Sequence, residues 1–431
     1  MKGFLSLLLL NSILSVSLAQ PKSVAIRCGK MLDTRSGNVL SNQVILVRSN
    51  KIEEVLPASA YHNNADTTID LSAYFVMPGM IDCHTHVLLQ GDITSDDYAV
   101  QLLKESIPYR TLRASRSCLI SLQNGFTTIR DLETEGAMYA DADLKKAINN
   151  HVIPGPRMFV STRAINTVGH YPLSPREFNW ELNLPKGIQE INGADEARRA
   201  VREQIAGGAD WIKVYADRGY YRLADGSYHS SPNFTQAEIE AVADECKRSR
   251  RHFASHAVTP DGVIYSINAG ARSIEHGFGM NDECLALMAD KKVFWCPTIY
   301  VCDYVAEGRA KEGNAINKQF METFPALFNK ALKRGVSIAY GTDIGGYDWN
   351  EPQAKDFEYM VKWGMTNIQA IQSATITAGQ LLEQENRIGE IKAGAFADII
   401  AINGDPLKDI HLLQNIQWVM KDGTVYKTMS R

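Results

Sequence analysis

The chain has 431 residues, of which 45% are hydrophobic and 22% are charged, so it can bury a large core in more than one folding unit. Its formal net charge is -4, which argues against the strongly basic surface of a nucleic-acid-binding or polybasic membrane-binding protein. Composition alone therefore predicts a soluble, globular protein with no nucleic-acid partner.

Residues 1–19 have the features of a cleaved signal peptide. Lys2 precedes an apolar run over residues 4–18, and small residues occupy the two key positions before a cut after Ala19. The run is shorter than the roughly 20 apolar residues that a transmembrane helix needs. We expect a secreted or periplasmic protein with no stable membrane anchor.

The two ends of the mature chain predict a small β-sandwich. Short alternating segments separated by turn residues fill residues 20–75, and similar segments fill residues 386–431. In the second part, Asp422-Gly423 between two apolar runs is a strong hairpin signal. We expect both termini to pair in one β unit beside the central domain.

The central residues 76–385 predict an α/β domain, because short apolar runs alternate with helix-like segments. Helices are expected at 194–206, after a cap at Asn192, and at 235–251, where Thr235 and Glu238 form a capping box. Eight strands in about 300 residues fit a (β/α)8 TIM barrel, whose active site lies at the carboxyl ends of the strands. The eight predicted strands cover residues 76–81, 127–131, 157–161, 211–215, 252–256, 272–276, 293–297 and 336–343.

The first barrel strand delivers a pair of histidines. Its apolar run ends in Asp82-Cys83-His84-Thr85-His86, and residues two apart on a strand point to the same face. Two imidazoles on one face predict a metal site. Cys83 alternates to the opposite face, and the odd count of seven cysteines predicts buried free thiols rather than a disulfide framework.

Four further side chains end later predicted strands. Lys213, in an apolar strand, either pairs with a buried carboxylate or, as a neutral amine, reacts with carbon dioxide to give a carbamate that bridges two metals. His256 and His276 alone fit core histidines as well as metal ligands. Asp343 can bind a metal and take a proton from water, or cap a helix. Nitrogen ligands without thiolates suit Zn²⁺ best, with other divalent ions open.

Several of these segments resemble the amidohydrolase superfamily. Pro78-Gly79 followed by the histidine pair is similar to the signature that opens its catalytic barrel. The Xaa-Pro dipeptidase-like and imidazolonepropionase-related branch, with its metallo-carboxypeptidases, dipeptidases and ochratoxin amidases, is the most similar. The segments that carry this second resemblance are residues 125–131, 254–257, 269–277 and 341–343.

The resemblance implies a binuclear zinc enzyme that hydrolyses a C-terminal amide bond of a peptide or N-acyl amino acid. A hydroxide that bridges the metals would attack the carbonyl, with Asp343 and His276 as catalytic residues. Lys213 would carry carbon dioxide as its carbamate. The substrate would be a small molecule or dipeptide whose free carboxylate meets His170 and Tyr265. The implied metal ligands are His84, His86, Lys213, His256, His276 and Asp343.

Three questions stay open from the sequence. A cyclic amide or lactam hydrolase, or a deaminase, is the alternative enzyme on the same barrel, although residues 257–261 lack the glutamate that deaminases typically place there. A non-catalytic ligand-binding barrel is less expected, because all six implied metal ligands are present in the sequence. The long segment at residues 166–192 either shapes substrate access or is a surface excursion, and a homo-oligomer remains open.

Overall fold

The computed structural model describes residues 23–170 and 182–429. The signal-peptide prediction for residues 1–19 lies outside these ranges, as does the middle of the long segment at residues 166–192. No helix in the described ranges is both long enough and apolar enough to span a bilayer.

The described residues contain eighteen strands and twelve α-helices, joined by turns and loops. The strands are β1 (Ser23–Leu32), β2 (Val39–Arg48), β3 (Lys51–Pro57), β4 (Thr67–Pro78), β5 (Met80–Thr85), β6 (Phe126–Asp131), β7 (Arg157–Val160), β8 (Ile165–Thr167), β9 (Gln189–Ile191), β10 (Trp211–Tyr215), β11 (Asp217–Arg222), β12 (Tyr228–Pro232), β13 (His252–Ala257), β14 (Ser273–His276), β15 (Phe294–Cys296), β16 (Ile399–Ile402), β17 (Ile416–Lys421) and β18 (Thr424–Lys427). The helices are α1 (Ser95–Lys104), α2 (Ile107–Gln123), α3 (Ala140–Asn149), α4 (Ala194–Ala206), α5 (Gln236–Arg248), α6 (Pro260–Ala269), α7 (Asp282–Lys291), α8 (Ile299–Lys311), α9 (Ile316–Arg334), α10 (Asp356–Lys362), α11 (Asn367–Ser373) and α12 (Ile376–Leu381).

Strands from both ends of the described chain share one seven-stranded sheet, in the order β18-β17-β16-β4-β1-β2-β3. Strand β1 is parallel to β4, and the other pairs are antiparallel. The predicted Asp422-Gly423 hairpin joins β17 to β18, with φ of 49° and 73°. Positive φ at both central residues is what a two-residue hairpin turn requires. The sheet buries its own apolar cluster around Ile26, Ile45 and Trp418.

Parallel strands carry the central part of the chain. One sheet has the order β5-β6-β7, and a second has the order β15-β14-β13-β10-β8-β9. Residues 336–344 lie between them, since Ile338 bridges Trp295 of β15 and Ile344 bridges Thr85 of β5. On the other side, the Asp210 N–H before β10 donates to the Val160 carbonyl of β7. Hydrogen bonds therefore join the two sheets at both junctions.

The sequence misplaces both the first and the last central strand. Residues 76–78 belong to β4 of the terminal sheet, and β5 starts after Gly79, where a Cβ atom would lie 2.2 Å from Thr127 Oγ1. The predicted strand at 336–343 makes isolated bridges, at Ile338 and just beyond its end at Ile344, rather than a ladder, and Asp343 between them has a left-handed φ of 61°.

Local signals predict both helices and one of the two caps, although α5 ends at Arg248 rather than at residue 251. Helix α4 has the predicted bounds, but its N-cap is Gly193 without a side-chain bond, so the Asn192 cap is wrong. The Thr235 and Glu238 capping box of α5 is confirmed. All seven cysteines lie in the described residues, buried and free, as predicted.

Arg157 of β7 links the central strands to the terminal sheet. Its guanidinium bonds to Asp398 and to Asp422, the latter at 2.5 Å, and lies 3.9 Å from the centre of the Phe396 ring. The Asp398 side chain is only 3% exposed. Loss of Arg157 would leave a buried carboxylate without its cation.

We expect Arg157→Ala to lower the free energy of unfolding by about 3–5 kcal/mol, because a buried ion pair is broken from one side. Urea unfolding followed by circular dichroism measures the change. Arg199→Ala is the matched control, since its pair with Glu203 is solvent-exposed and should contribute little. An equal effect of the two substitutions would contradict the anchoring role of Arg157.

Candidate metal centre

The six predicted metal ligands come together at the carboxyl ends of the parallel strands. His86, Lys213, His256, His276 and Asp343 line one cavity of 640 Å³, and His84 lies directly beside His86. The strands that deliver them are β5, β10, β13 and β14, together with the bridged residues 336–344. Strand register therefore concentrates side chains that are up to 259 residues apart in the chain (343 minus 84).

Three of these side chains form a compact donor cluster. His86 Nε2 lies 3.0 Å from Asp343 Oδ1 and 3.3 Å from His84 Nε2, and His84 Nε2 lies 3.7 Å from the same Asp343 oxygen. One ligand atom of each residue lies within 4.8 Å of the others. Two imidazole nitrogens and a carboxylate oxygen converging in this way can hold a divalent metal ion.

His276 and His256 extend the cluster along the cavity. The His276 ring centre lies 5.0 Å from that of His84 and 4.4 Å from that of His256. His276 Nδ1 lies 3.8 Å from Asp343 Oδ2 and 2.9 Å from Thr298 Oγ1. Burial lowers the pKa of both His256 and His276 well below the usual range, so both imidazoles are neutral and ready to bind metal.

Lys213 is buried among these ligands, only 1% exposed. In the described part of the chain it forms no ion pair within 4.0 Å, so the pairing with a buried carboxylate that the sequence left open does not form. Burial lowers the pKa of its amine. A lower pKa increases the neutral fraction of the amine, which is the form that reacts with carbon dioxide to give a carbamate.

A buried carboxylate orients His84. His84 Nδ1 lies 2.9 Å from Glu275 Oε2, and Arg130 Nη2 donates to Glu275 Oε1 at 2.9 Å. Burial alone would raise the pKa of Glu275, but the Arg130 charge and the His84 contact outweigh it and hold that pKa low. The ionised carboxylate accepts a hydrogen bond from the His84 Nδ1–H. His84 Nε2, which faces Asp343, therefore keeps the lone pair that can bind a metal ion.

Backbone strain also coincides with the site. His276, Asp343 and Thr298 have φ of 72°, 61° and 44°, in the left-handed region that non-glycine residues rarely adopt. Such strain persists only where surrounding contacts impose it, and it clusters at functional sites. Asp82 supplies one of these contacts, because its carboxylate accepts hydrogen bonds from both His84 N and Thr342 N at 3.1 Å.

The sequence interpretation missed two carboxylates beside the histidine pair. Glu133 Oε2 accepts a 2.5 Å hydrogen bond from the Tyr215 hydroxyl, and Glu135 Oε2 accepts one of 2.9 Å from Tyr98. Burial, followed by the charge of Glu135, raises the pKa of Glu133. Two glutamates directly after a buried strand were the signal that could have identified them.

The hairpin β11–β12 was also missed, although it forms one wall of the cavity. Its Tyr220 hydroxyl bonds to His256 Nε2. That contact leaves Nδ1 as the His256 nitrogen free to face a metal. The hairpin also brings Arg218 to the cavity.

The two predicted substrate contacts are not among the residues that line the described cavity. His170 is exposed, with Nδ1 3.0 Å from Asn233 Oδ1, and the residues that follow it lie outside the described ranges. Tyr265 lies on α6, where its hydroxyl donates to the Phe234 carbonyl at 3.0 Å. Their roles in substrate binding stay predictions.

Known proteins with this architecture identify the family. The amidohydrolase family profile matches residues 75–431. Ochratoxinase of Aspergillus niger is 32% identical over 382 residues, which cover 82% of this chain and 75% of that protein. Imidazolonepropionase of Fusobacterium nucleatum subsp. nucleatum is 23% identical over 391 residues, covering 83% and 84%. The crystal structure of a Xaa-Pro dipeptidase with bound methionine superposes with a TM-score of 0.83 at 32% identity, covering 94% of this chain and all of that one.

The chain therefore belongs to the amidohydrolase family, and the predicted branch is confirmed. It is a hydrolase that acts on amide C–N bonds, as the sequence predicts. It also shares the mixed α/β fold of these relatives. Metal dependence is typical of this family, and the cluster of His84, His86 and Asp343 fits it.

We expect Glu275→Gln to lower the zinc affinity of the metal-free protein about 10–100-fold, because a carboxylate that orients a ligand histidine tunes its basicity. Competition with a chromophoric chelator measures the affinity, and circular dichroism verifies the fold. Glu203→Gln, at a half-exposed residue on α4 that does not line the described cavity, is the control. A folded Glu275→Gln protein with unchanged zinc affinity would contradict this role.

Proposed function

We propose that this hydrolase is a binuclear zinc enzyme that cleaves a C-terminal amide bond, releasing a free amino acid from a dipeptide or N-acyl amino acid. The observation that carries the proposal is the convergence of the predicted ligands on one cavity, with His84 beside it. Zinc is favoured over other divalent ions, because the donor atoms are mainly imidazole nitrogens.

The donor set supports two metal positions. His84, His86 and Asp343 would hold the first ion, and His256 and His276 the second. The carbamate of Lys213 would join the two, which accounts for a buried lysine without an ion pair in the described residues. When bound, the ions supply a Lewis acid for the scissile carbonyl and a water of lowered pKa.

Asp343 is the proposed proton carrier. Burial would raise the pKa of its carboxyl, but the neighbouring His84 and the His86 hydrogen bond outweigh burial and keep it ionised. We assign this ionised carboxylate, which lies beside His84 and His86, the task of accepting a proton from the attacking water and delivering it to the leaving amine as the C–N bond breaks. His276 lies 3.8 Å from the second Asp343 oxygen and is the proposed partner in orienting the carbonyl.

The form of the cavity supports a small substrate. Its volume of 640 Å³ is in the range of small-molecule sites, and aromatic side chains such as Phe278 and Phe320 line it. The similar Xaa-Pro dipeptidase has methionine bound in its active site. A free amino acid is the product that the proposed reaction would leave in the same place.

Two finer features belong to the same proposal. The junction hydrogen bonds support closure of the eight predicted strands as a (β/α)8 barrel over residues 76–385, with the terminal sheet forming the β-sandwich over 20–75 and 386–431. The residues 1–19 support secretion or export to the periplasm after cleavage of a signal peptide. Edman sequencing of the exported protein would test the cut after Ala19.

We expect the wild type to contain two zinc ions per chain and Lys213→Ala to lose one of them together with most activity, because the bridging anion would be absent. Metal analysis by mass spectrometry and a hydrolysis assay measure both. Short carboxylic acids should restore part of the activity. A Lys213→Arg protein with wild-type rate and metal content would rule out the carbamate, since arginine cannot be carboxylated in this way.

We expect the wild type to cleave members of a panel of dipeptides and N-acetyl amino acids, and to lose this activity on treatment with a chelator. Each substrate is compared with its C-terminal carboxamide, and the acid should be preferred. Equal cleavage of acid and carboxamide would contradict recognition of a carboxylate. Cleavage of lactams alone, or release of ammonia alone, would favour the alternative hydrolase or deaminase.

A further inference from the structure

Thr298 stands at the start of α8 but does not cap that helix. A threonine at this position normally has an extended backbone, and its hydroxyl accepts a hydrogen bond from the second or third N–H of the helix. Here Thr298 has φ of 44° and ψ of 56°, in the left-handed region, and its side chain makes no capping bond. The residue is fully buried, and its Oγ1 lies 2.9 Å from His276 Nδ1. The hydroxyl is therefore turned away from the helix and toward a predicted metal ligand.

Asp356, the first residue of α10, takes over the capping of α8. Its Oδ1 accepts hydrogen bonds from the N–H groups of Ile299 at 2.5 Å and Tyr300 at 3.1 Å. A buried helix start without such an acceptor is costly, so this carboxylate makes the diversion of the Thr298 hydroxyl tolerable. A left-handed backbone at a β-branched residue is strained, and it persists only where surrounding contacts impose it. The fold therefore holds Thr298 in this conformation.

The segment that carries Thr298 also holds the backbone of His276. Trp295, three residues earlier, donates from Nε1 to the His276 carbonyl at 2.8 Å. This close approach needs Gly277, where a Cβ atom would lie 2.9 Å from the same indole nitrogen. Trp295 therefore fixes the backbone of His276, while Thr298 contacts its ring.

The neighbours of the His276 ring favour a proton on Nδ1. Thr298 Oγ1 at 2.9 Å and Asp343 Oδ2 at 3.8 Å are both acceptors on the Nδ1 side. Among the described residues, no hydrogen bond or ion pair is made by Nε2 of this ring. In a neutral imidazole, the hydrogen bond at one nitrogen decides which nitrogen keeps the lone pair. Nε2 is therefore the His276 nitrogen left to bind a metal ion.

We propose that Thr298 is a positioning residue that accepts a hydrogen bond from His276 Nδ1–H and so presents His276 Nε2 to the second metal ion. Asp356 makes this possible, because it caps α8 in place of the threonine. This inference rests on the proposed function, in which His276 is a ligand of that ion. Outer partners of this kind fix the ring orientation and the tautomer of a ligand histidine.

The first test determines the His276 tautomer in the metal-free protein by nitrogen-15 NMR of histidine-labelled samples, with His276→Asn to assign the signals. The wild type should carry the ring proton on Nδ1. Thr298→Val removes the hydroxyl but keeps the branched shape, and it should give a mixture of both tautomers. Thr298→Ser restores the hydroxyl and should restore the wild-type signals. A wild-type proton on Nε2, or an unchanged tautomer in Thr298→Val, would overturn the proposal.

The second test measures zinc affinity by competition with a chromophoric chelator. Thr298→Val should bind one of the two ions about 10–100-fold more weakly and the other with wild-type affinity, because only the ligand His276 has lost its partner. Thr298→Ser should stay close to the wild type. Circular dichroism verifies the fold of each variant.

Thr375→Val is the matched control, because Thr375 is also a fully buried threonine at a helix start without a side-chain capping bond. Its hydroxyl donates to the Ile371 carbonyl at 2.7 Å, and it does not line the described cavity. This variant should keep the wild-type tautomer and both zinc affinities. Equal losses of zinc affinity in the two valine variants would indicate a general structural effect and overturn the positioning role.

Failure of the proposed function is distinguishable, because it appears in the wild type. A wild type that binds a single zinc ion, or cleaves no amide of the panel, overturns the proposed function whatever Thr298→Val does. The tautomer is measured without metal and decides the contact between Thr298 and His276 separately. A wild type with two zinc ions whose Thr298→Val variant keeps both affinities overturns the inference alone.

Discussion

A buried chain of charge that runs from Arg130 through Glu275 to His84 is the interaction on which the metal centre depends. All three side chains are fully buried, and Arg130 also donates to the Cys83 carbonyl and to Ser273 Oγ. Desolvating such groups costs several kcal/mol per ion unless each one is bonded. Here the bonds connect β5, β6 and β14, so the interaction that orients the first ligand also ties three strands together.

The rest of the site follows from this arrangement of strands. Once β5 and β14 are fixed, His86 and His276 emerge beside His84, and Asp82 draws residues 342–343 against the same strand. The left-handed backbone at His276 and Asp343 then points both side chains into one cavity. A rigid parallel sheet holds the strained residues, which an isolated loop would release.

The sequence predicts those parts that depend on local pattern. Two histidines that are two residues apart at the end of an apolar run are predicted to lie on the same face, because side chains on a strand alternate with a period of two. The Asp422-Gly423 turn and the Thr235 capping box are local in the same sense. The positions of His256 and His276 were predictable as strand ends, but their meeting depends on parallel register, and there the family resemblance supplied what spacing alone could not.

What the sequence did not predict depends on contacts between distant segments. The partnership of Arg130 with Glu275 joins residues 145 apart, and neither residue alone reveals it, although a charge inside an apolar strand was a usable signal. The β11–β12 hairpin has mostly polar residues, so its pattern resembles a loop. For that reason Arg218 and Tyr220 went unrecognised as part of the cavity wall. The last predicted strand ends in the left-handed backbone of Asp343, which no propensity encodes.

The pairing of β4 sets an order of events during synthesis. β4 lies between β1 and β16 in the terminal sheet, and its C-terminal end leads through Gly79 into the strand that carries the histidine pair. One edge of β4 stays uncovered until residues 399–402 leave the ribosome, more than 300 residues later. An open strand edge is prone to mispairing. Completion of the sheet thus comes late in synthesis, and a chaperone that covers this edge would protect the nascent chain.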